Sequence, residues 1–269
     1  MEVEEAAMTI EEKEKEKEEI TLKIVRSTPS KNIKPKIATY TIPVTKGMTV
    51  LDALQYIKAN IDHSIAFRYS CRMGNCGSCA VIANNKPILS CQTQIADLGG
   101  REIELRPLEN FPVIRDLVTS FNEFNSKHRQ IKPYIIIVTQ NGDEKEIAEE
   151  MAAKHEHLQS PEELERYIQF AHCIKCGLCF NACPITSTNI QFLGPQALSQ
   201  AYRYLEDNRD QDNHLRLEIV DTKNGCWSCH LIGECSYACP KGVDPALGIQ
   251  LLRRKATAQK LGVTKQQHH

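Results

Sequence analysis

A twelve-residue frame occurs twice in the chain, as CIKCGLCFNACP from Cys173 to Pro184 and as CHLIGECSYACP from Cys229 to Pro240. The cysteines are in register at every position but one, where the first copy has Cys176 and the second has Ile232. Cysteines repeated at such short intervals have the spacing of metal ligands. They constrain the fold more tightly than any apolar pattern, because each copy must bend until its thiols face a common centre. A third block, CRMGNCGSC from Cys71 to Cys79 followed by Cys91, has the different spacing C-x4-C-x2-C-x11-C. Of the 12 cysteines only Cys226 stands outside these blocks.

The N-terminal run EEKEKEKEEI is neither an apolar-centred signal peptide nor an Arg-rich, acid-poor transit peptide. So many cysteines without an export signal point to a reducing cytosol, and to metal ligation rather than disulfides. The mixed charges of residues 1–19 describe a solvated, disordered tail. A formal net charge of -1 argues against a nucleic-acid partner, which would call for a basic face. The longest apolar run, Tyr134 to Val138, falls far short of the roughly 18 residues of a membrane span, so any membrane role is peripheral.

At 269 residues the chain can hold two domains, and its low aromatic content of 6% implies modest cores supported by cofactors. Residues 20–110 read as an α+β unit. ITLKIVR and IATYTIPV alternate at period two, EIELRPL closes the region, and a helix is expected from Val50 to Lys58, capped by Thr49. Residues 111–269 read as α-helical, with helices predicted in RDLVTSFNEFNS, in SPEELERYIQFA with Ser160 as cap and Pro161 in the first turn, and in GPQALSQAYRYLED. The polar stretch 140–159 is expected at the surface, with an exposed helix over Glu144 to His155.

The spacing of Cys71, Cys76, Cys79 and Cys91 suits a binuclear [2Fe-2S] centre. A tight loop turns three thiolates inward, and the fourth comes from a neighbouring hairpin. Gly74 and Gly77 supply the left-handed turns and let backbone N–H groups approach the sulfurs. A zinc knuckle is the alternative, although zinc sites pair two separate C-x-x-C hairpins.

The second block fits the C-x2-C-x2-C-x3-C-P run of two-cluster ferredoxins, in which the fourth cysteine ligates the other cluster. On that pattern Cys173, Cys176, Cys179 and Cys239 hold a [4Fe-4S] cluster. Cys183 crosses over to join Cys229 and Cys235. With Ile232 in place of a fourth ligand, three thiolates hold a [3Fe-4S] cluster, and the apolar side chain keeps water from the open corner. Cys226 reads as a buried small hydrophobe, with a spare ligand as the alternative. Trp227 and Tyr237 read as packing residues, and His268 and His269 carry no assignment.

The series CRMGNCGSC, PLENFPVIRDLV, CIKCGLCFNACP, FLGPQALSQAYRYLEDNRD and WSCHLIGECSYACPKGVDP resembles the iron-sulfur subunit of succinate dehydrogenase and fumarate reductase, from about Ile20 to about Leu252. The resemblance implies an N-terminal β-grasp [2Fe-2S] ferredoxin-like domain followed by an α-helical two-cluster ferredoxin-like domain. It implies a subunit that passes electrons between FAD in a flavoprotein partner and quinone at a membrane anchor, which in some such complexes holds haem. The chain would then sit on the cytoplasmic face of a prokaryotic inner membrane, held there by its partners and without substrate chemistry of its own. By the same resemblance Pro184, His230, Ile232 and Lys241 line the quinone pocket, with His230 able to relay protons. Thr188 stands where many succinate dehydrogenases have a tryptophan. Two other functions fit parts of the pattern: electron transfer for a different flavoprotein dehydrogenase, and a structural zinc protein.

Overall fold

A computed structural model describes residues 19–27, 34–136, 156 and 158–263. Residues 1–18 of the charged tail, the expected helix over Glu144 to His155, and His268 and His269 lie outside the described residues, whereas Glu19, assigned to the tail, begins a strand. The chain divides into two compact units between Ser120 and Phe121.

In the first unit, β1 (Glu19–Arg26) pairs antiparallel with β2 (Lys36–Pro43). Alternation buries Ile20, Leu22 and Ile24 on one face of β1, as the period-two pattern requires. Helix α1 (Val50–Asn60) lays Val50, Leu51, Ala53, Leu54 and Ile57 into the same core. Its start is set by a capping box. The Thr49 side chain accepts from the Asp52 N–H at 3.1 Å, and the Asp52 carboxylate accepts from the Thr49 N–H at 2.9 Å.

Strands β3 (Ala80–Ala83) and β4 (Lys86–Leu89) form a hairpin, and β5 (Glu102–Arg106) returns beside β1 in parallel. The sheet order is β2-β1-β5-β3-β4, a β-grasp arrangement in which the sheet curls around α1. Asn84 and Asn85, both with positive φ, make the two-residue turn between β3 and β4, a conformation that asparagine tolerates.

RDLVTSFNEFNS does not form one helix. Its first part closes a second hairpin, β6 (Val113–Arg115) with β7 (Val118–Thr119), and helix α2 begins only at Asn122. The cause is Asp116, which adopts φ 47° and buries its carboxylate. That carboxylate accepts from the Ser27 N–H at 3.0 Å and the Ala66 N–H at 2.9 Å, and pairs with Arg26 at 3.1 Å. These contacts hold the hairpin to the first unit, so the division falls after Ser120 rather than after residue 110.

The second unit, from Phe121, is helical among its described residues. After α2 (Asn122–Gln130) come α3 (Pro161–Glu165), α4 (Ile168–Ala171), α5 (Leu178–Asn181), α6 (Pro184–Thr188), α7 (Pro195–Leu205), α8 (Asn213–Val220), α9 (Glu234–Tyr237) and α10 (Pro245–Lys260). SPEELERYIQFA carries the expected Ser160 cap and Pro161 but splits into α3 and α4. Helix α7 is buried along most of its length, and α10 packs against it. Gly248 permits the close approach: a Cβ there would stand 3.2 Å from the Ser199 Cα.

Arg216 of α8 is fully buried. It pairs with both carboxylate oxygens of Asp210 at 2.9 Å and donates to the carbonyls of Ile131, Lys132 and Tyr134 at 3.1 Å. Asp210→Asn keeps the shape but leaves the guanidinium charge uncompensated, with an expected cost of about 3–5 kcal/mol. Urea unfolding of the holo-protein measures it, and a loss below about 1 kcal/mol would show that the three carbonyls suffice.

Candidate metal centres

The hairpin of β3 and β4 assembles the first centre. Ala80 pairs with Leu89, and the Ser90 N–H donates to the Cys79 carbonyl at 3.1 Å. Cys79 and Cys91 therefore meet at the open end of the hairpin, both buried. The loop before it reverses through Arg72, Gly74 and Gly77, all with φ between 59° and 70°. A side chain at Gly74 would also collide with Gln92. The N–H groups of Asn75 and Cys76 donate to Cys71 Sγ at 3.3 Å each, and the Cys71 N–H donates to Cys76 Sγ at 3.5 Å.

These contacts split the thiol acidities. Cys76 pays a burial penalty that Ser78 and the Cys71 N–H outweigh, bringing it down to about 6. Cys91 is pushed up to about 11 by burial and by Cys79 beside it.

In the second unit the two repeats share one backbone course. Lys175 and Leu231 have φ 55° and 57°, Gly177 and Gly233 have φ 81° and 90°, and one-turn helices follow at α5 and α9. Left-handed residues on either side of Cys176, and again of Ile232, fold each loop back on itself.

Cys173, Cys176, Cys179 and Cys239 line one cavity of about 370 Å³. Cys183, Cys229 and Cys235 line another of about 290 Å³, together with Pro184, His230 and Ile232. Lys241 lines the first cavity and not the second. Among the described residues no three His, Cys, Asp or Glu side chains converge on a single-ion site. The thiols stand around the cavities instead, and such donor sets suit a polynuclear core.

Burial is the first cause of thiol neutrality here, and crowding of thiols adds to it. Cys179 is raised well above its usual value by burial and by Cys173, Cys176, Cys235 and Cys239 around it. Cys176 is pushed up to about 12, and Cys235 to about 11, with Cys183 and Cys229 adding to its burial. Neutral buried thiols must release protons to become ligands, so loading of the cavities is favoured as pH rises.

Ile232 is 54% exposed whereas Cys176 is 8% exposed. The isoleucine alone therefore does not dry its corner, contrary to expectation; the loop that carries it lies at the surface of this chain. His230 and Pro184 are exposed beside it. Cys226 is fully buried in the helical core and lines neither cavity. Burial pushes it up to about 11, and the charged groups around it are Arg253, Asp221 and Lys260, not other cysteines.

Three functional neighbours escaped the cysteine pattern. Gln196 of α7 lines the four-cysteine cavity, with its Nε2 4.0 Å from Cys173 Sγ and 3.2 Å from His128 Nδ1. Arg253 of α10 holds the third block by donating to the carbonyls of Cys226, at 2.9 Å, and Cys229. The available signal was the recurrence of polar residues Gln196, Ser199 and Gln200 along one side of the helix predicted in GPQALSQAYRYLED.

Residues 21–126 match the family of the 2Fe-2S iron-sulfur cluster binding domain, and residues 169–243 match the 4Fe-4S dicluster domain. The chain is 42% identical over 236 residues to the fumarate reductase iron-sulfur subunit of Haemophilus influenzae, covering 86% of this chain and 90% of that protein. It is 35% identical over 232 residues to the succinate dehydrogenase iron-sulfur subunit of Paracoccus denitrificans, covering 86% and 85% respectively. A chain of the Mycobacterium smegmatis Sdh1 complex in the apo form superposes with a TM-score of 0.77 at 25% identity, over 90% of this chain and 97% of that one. With both cluster domains matched in order and these relatives aligned over most of their length, the chain belongs to the family of fumarate reductase and succinate dehydrogenase iron-sulfur subunits.

Proposed function

We propose that the chain is the electron-transfer subunit of a membrane-associated succinate:quinone oxidoreductase. It would stand between an FAD-bearing subunit, where succinate and fumarate interconvert, and a membrane anchor, where quinone reacts. The observation that carries this reading is the crossing of the two repeats. Cys239 of the second copy shares a cavity with three cysteines of the first, while Cys183 of the first shares a cavity with Cys229 and Cys235. When bound, a [2Fe-2S], a [4Fe-4S] and a [3Fe-4S] cluster supply three one-electron carriers.

The residues of the chain do the rest. Cys71, Cys76, Cys79 and Cys91 hold the first centre, on a loop whose backbone N–H groups already point at sulfur. Cys173, Cys176, Cys179 and Cys239 hold the second. Cys183, Cys229 and Cys235 hold the third, with Ile232 leaving its corner without a thiolate. Pro184, His230 and Ile232 border that third cavity and form this chain's share of the quinone pocket. Lys241, which lines the four-cysteine cavity, is the fourth residue proposed to approach the quinone. No helix among the described residues is long and apolar enough to cross a membrane. Attachment at the cytoplasmic face would then fall to the partner subunits.

Three substitutions test this assignment in the assembled complex. Ile232→Cys sets a thiol in the register that Cys176 fills, on a backbone of the same course. Electron paramagnetic resonance of the oxidised protein should lose its [3Fe-4S] signal as a fourth iron enters. If the unmodified protein, with its iron fully present, lacked that signal, the assignment of Ile232 would fail. Cys239→Ser removes a ligand from a distant loop, and the [4Fe-4S] signal and assembly of the complex should both be lost; full retention of that signal would refute the crossing. Cys226→Ala should leave all three cluster spectra unchanged and cost about 1 kcal/mol of packing. An altered third cluster would instead make Cys226 a ligand.

A further inference from the structure

Helix α7 presents polar side chains to the four-cysteine cavity, and one of them has an unusual set of partners. Gln196 is 2% exposed. Its Nε2 lies 3.2 Å from His128 Nδ1 and 4.0 Å from Cys173 Sγ, so each amide hydrogen has one acceptor. Its Oε1 is buried with no hydrogen-bond partner among the described residues. An unpaired buried carbonyl oxygen costs about 1–3 kcal/mol, so something must favour this orientation of the amide. Rotating the amide by half a turn would set the carbonyl oxygen against the sulfur, which as a metal-bound thiolate repels it.

His128 of α2 secures the other hydrogen. The ring is buried, and burial together with the nearby Lys175 charge brings its pKa down to about 4, so it is neutral at neutral pH. With its proton on Nε2, the neutral ring offers Nδ1 as an acceptor.

We infer that Gln196 is a positioning residue for the four-cysteine centre: its amide donates to Cys173 Sγ and raises the reduction potential of the cluster, with His128 holding the amide in that orientation. This rests on the assignment of Cys173, Cys176, Cys179 and Cys239 as ligands. Reduction adds negative charge that spreads onto the thiolate sulfurs. A donor aimed at one of them stabilises the reduced form more than the oxidised form. Iron binding strengthens the contact, because it converts a thiol into a charged acceptor.

The test is redox titration of the holo-complex followed by electron paramagnetic resonance, with iron counted in each sample. Gln196→Leu should lower the midpoint of the [4Fe-4S] signal by an amount equivalent to about a tenfold change in the reduction equilibrium, ~59 mV for one electron. Gln196→Glu keeps the shape but offers an acceptor in place of the donor. It should fall at least as far, and it serves where the leucine variant loads poorly. His128→Leu should produce a smaller fall in the same direction.

Ser199→Ala is the control. Its hydroxyl donates to the main-chain carbonyl of Gln196 at 3.0 Å, and the residue lines the same cavity, yet the midpoint should not move. A parent-like midpoint in loaded Gln196→Leu or Gln196→Glu overturns the inference. So does an equal fall in Ser199→Ala, which would mark a packing effect. A parent protein without a [4Fe-4S] signal would overturn the ligand assignment itself, and the two failures are thereby distinguished.

Discussion

The second unit depends on one constraint: thiols from two distant loops must meet twice, in opposite combinations. Cys239 has to reach the loop of Cys173, and Cys183 the loop of Cys229. Two loops of the same backbone course, each followed by a single helical turn, satisfy this when they face one another. The long helices serve that placement. Helix α7 leaves the first repeat and α10 leaves the second, and their close packing at Gly248 and Ser199 fixes the distance between the loops. A bulky residue at Gly248 would press on Ser199, which lines the four-cysteine cavity, and strain it through this contact.

The same crowding makes the folded unit dependent on what it binds. Cys173, Cys176 and Cys179 cannot all ionise around one cavity without cations among them, since burial first and mutual repulsion second hold these thiols neutral. Filling the cavity replaces protons by metal and links loops that no disulfide joins, so binding free energy becomes folding free energy. The first unit is under less demand. Its hydrophobic core of sheet and helix closes without reference to the cysteines, which occupy one loop and the end of one hairpin.

The difference between the units explains what was legible in the sequence. Period-two strands, the Thr49 cap and the Ser160 cap with Pro161 follow from local patterns, the β-grasp fold was implied by the family resemblance, and the cavities gather the same cysteines as the two-cluster pattern. The hairpin at Asp116 was not legible. Residues 115–126 carry a helical apolar period, and the contacts that override it come from Arg26, Ser27 and Ala66, which are close only after folding. Gln196 and His128 were hidden for the same reason, since a hydrogen bond between α2, α7 and a cysteine loop leaves no spacing to read. Lys241, next in sequence to Pro240, lines the four-cysteine cavity beside Cys239.

Ile232 shows how little is needed to make two unlike centres from one repeat. The backbone around it copies that around Cys176, so isoleucine takes the place of a thiol without altering the loop. The surroundings then differ on the side of the long helix. The four-cysteine cavity is walled by α7, where Gln196 and Ser199 are nearly inaccessible, whereas Pro184, His230, Leu231 and Ile232 at the three-cysteine cavity are all exposed. A centre that only hands electrons onward can be enclosed, and enclosure lets fixed dipoles such as the Gln196 amide act with little screening. A centre that exchanges with a molecule outside the chain must be approachable. Ile232 lies on that approachable side, so the register that Cys176 fills in the other loop carries no thiol here and is reachable from the surface.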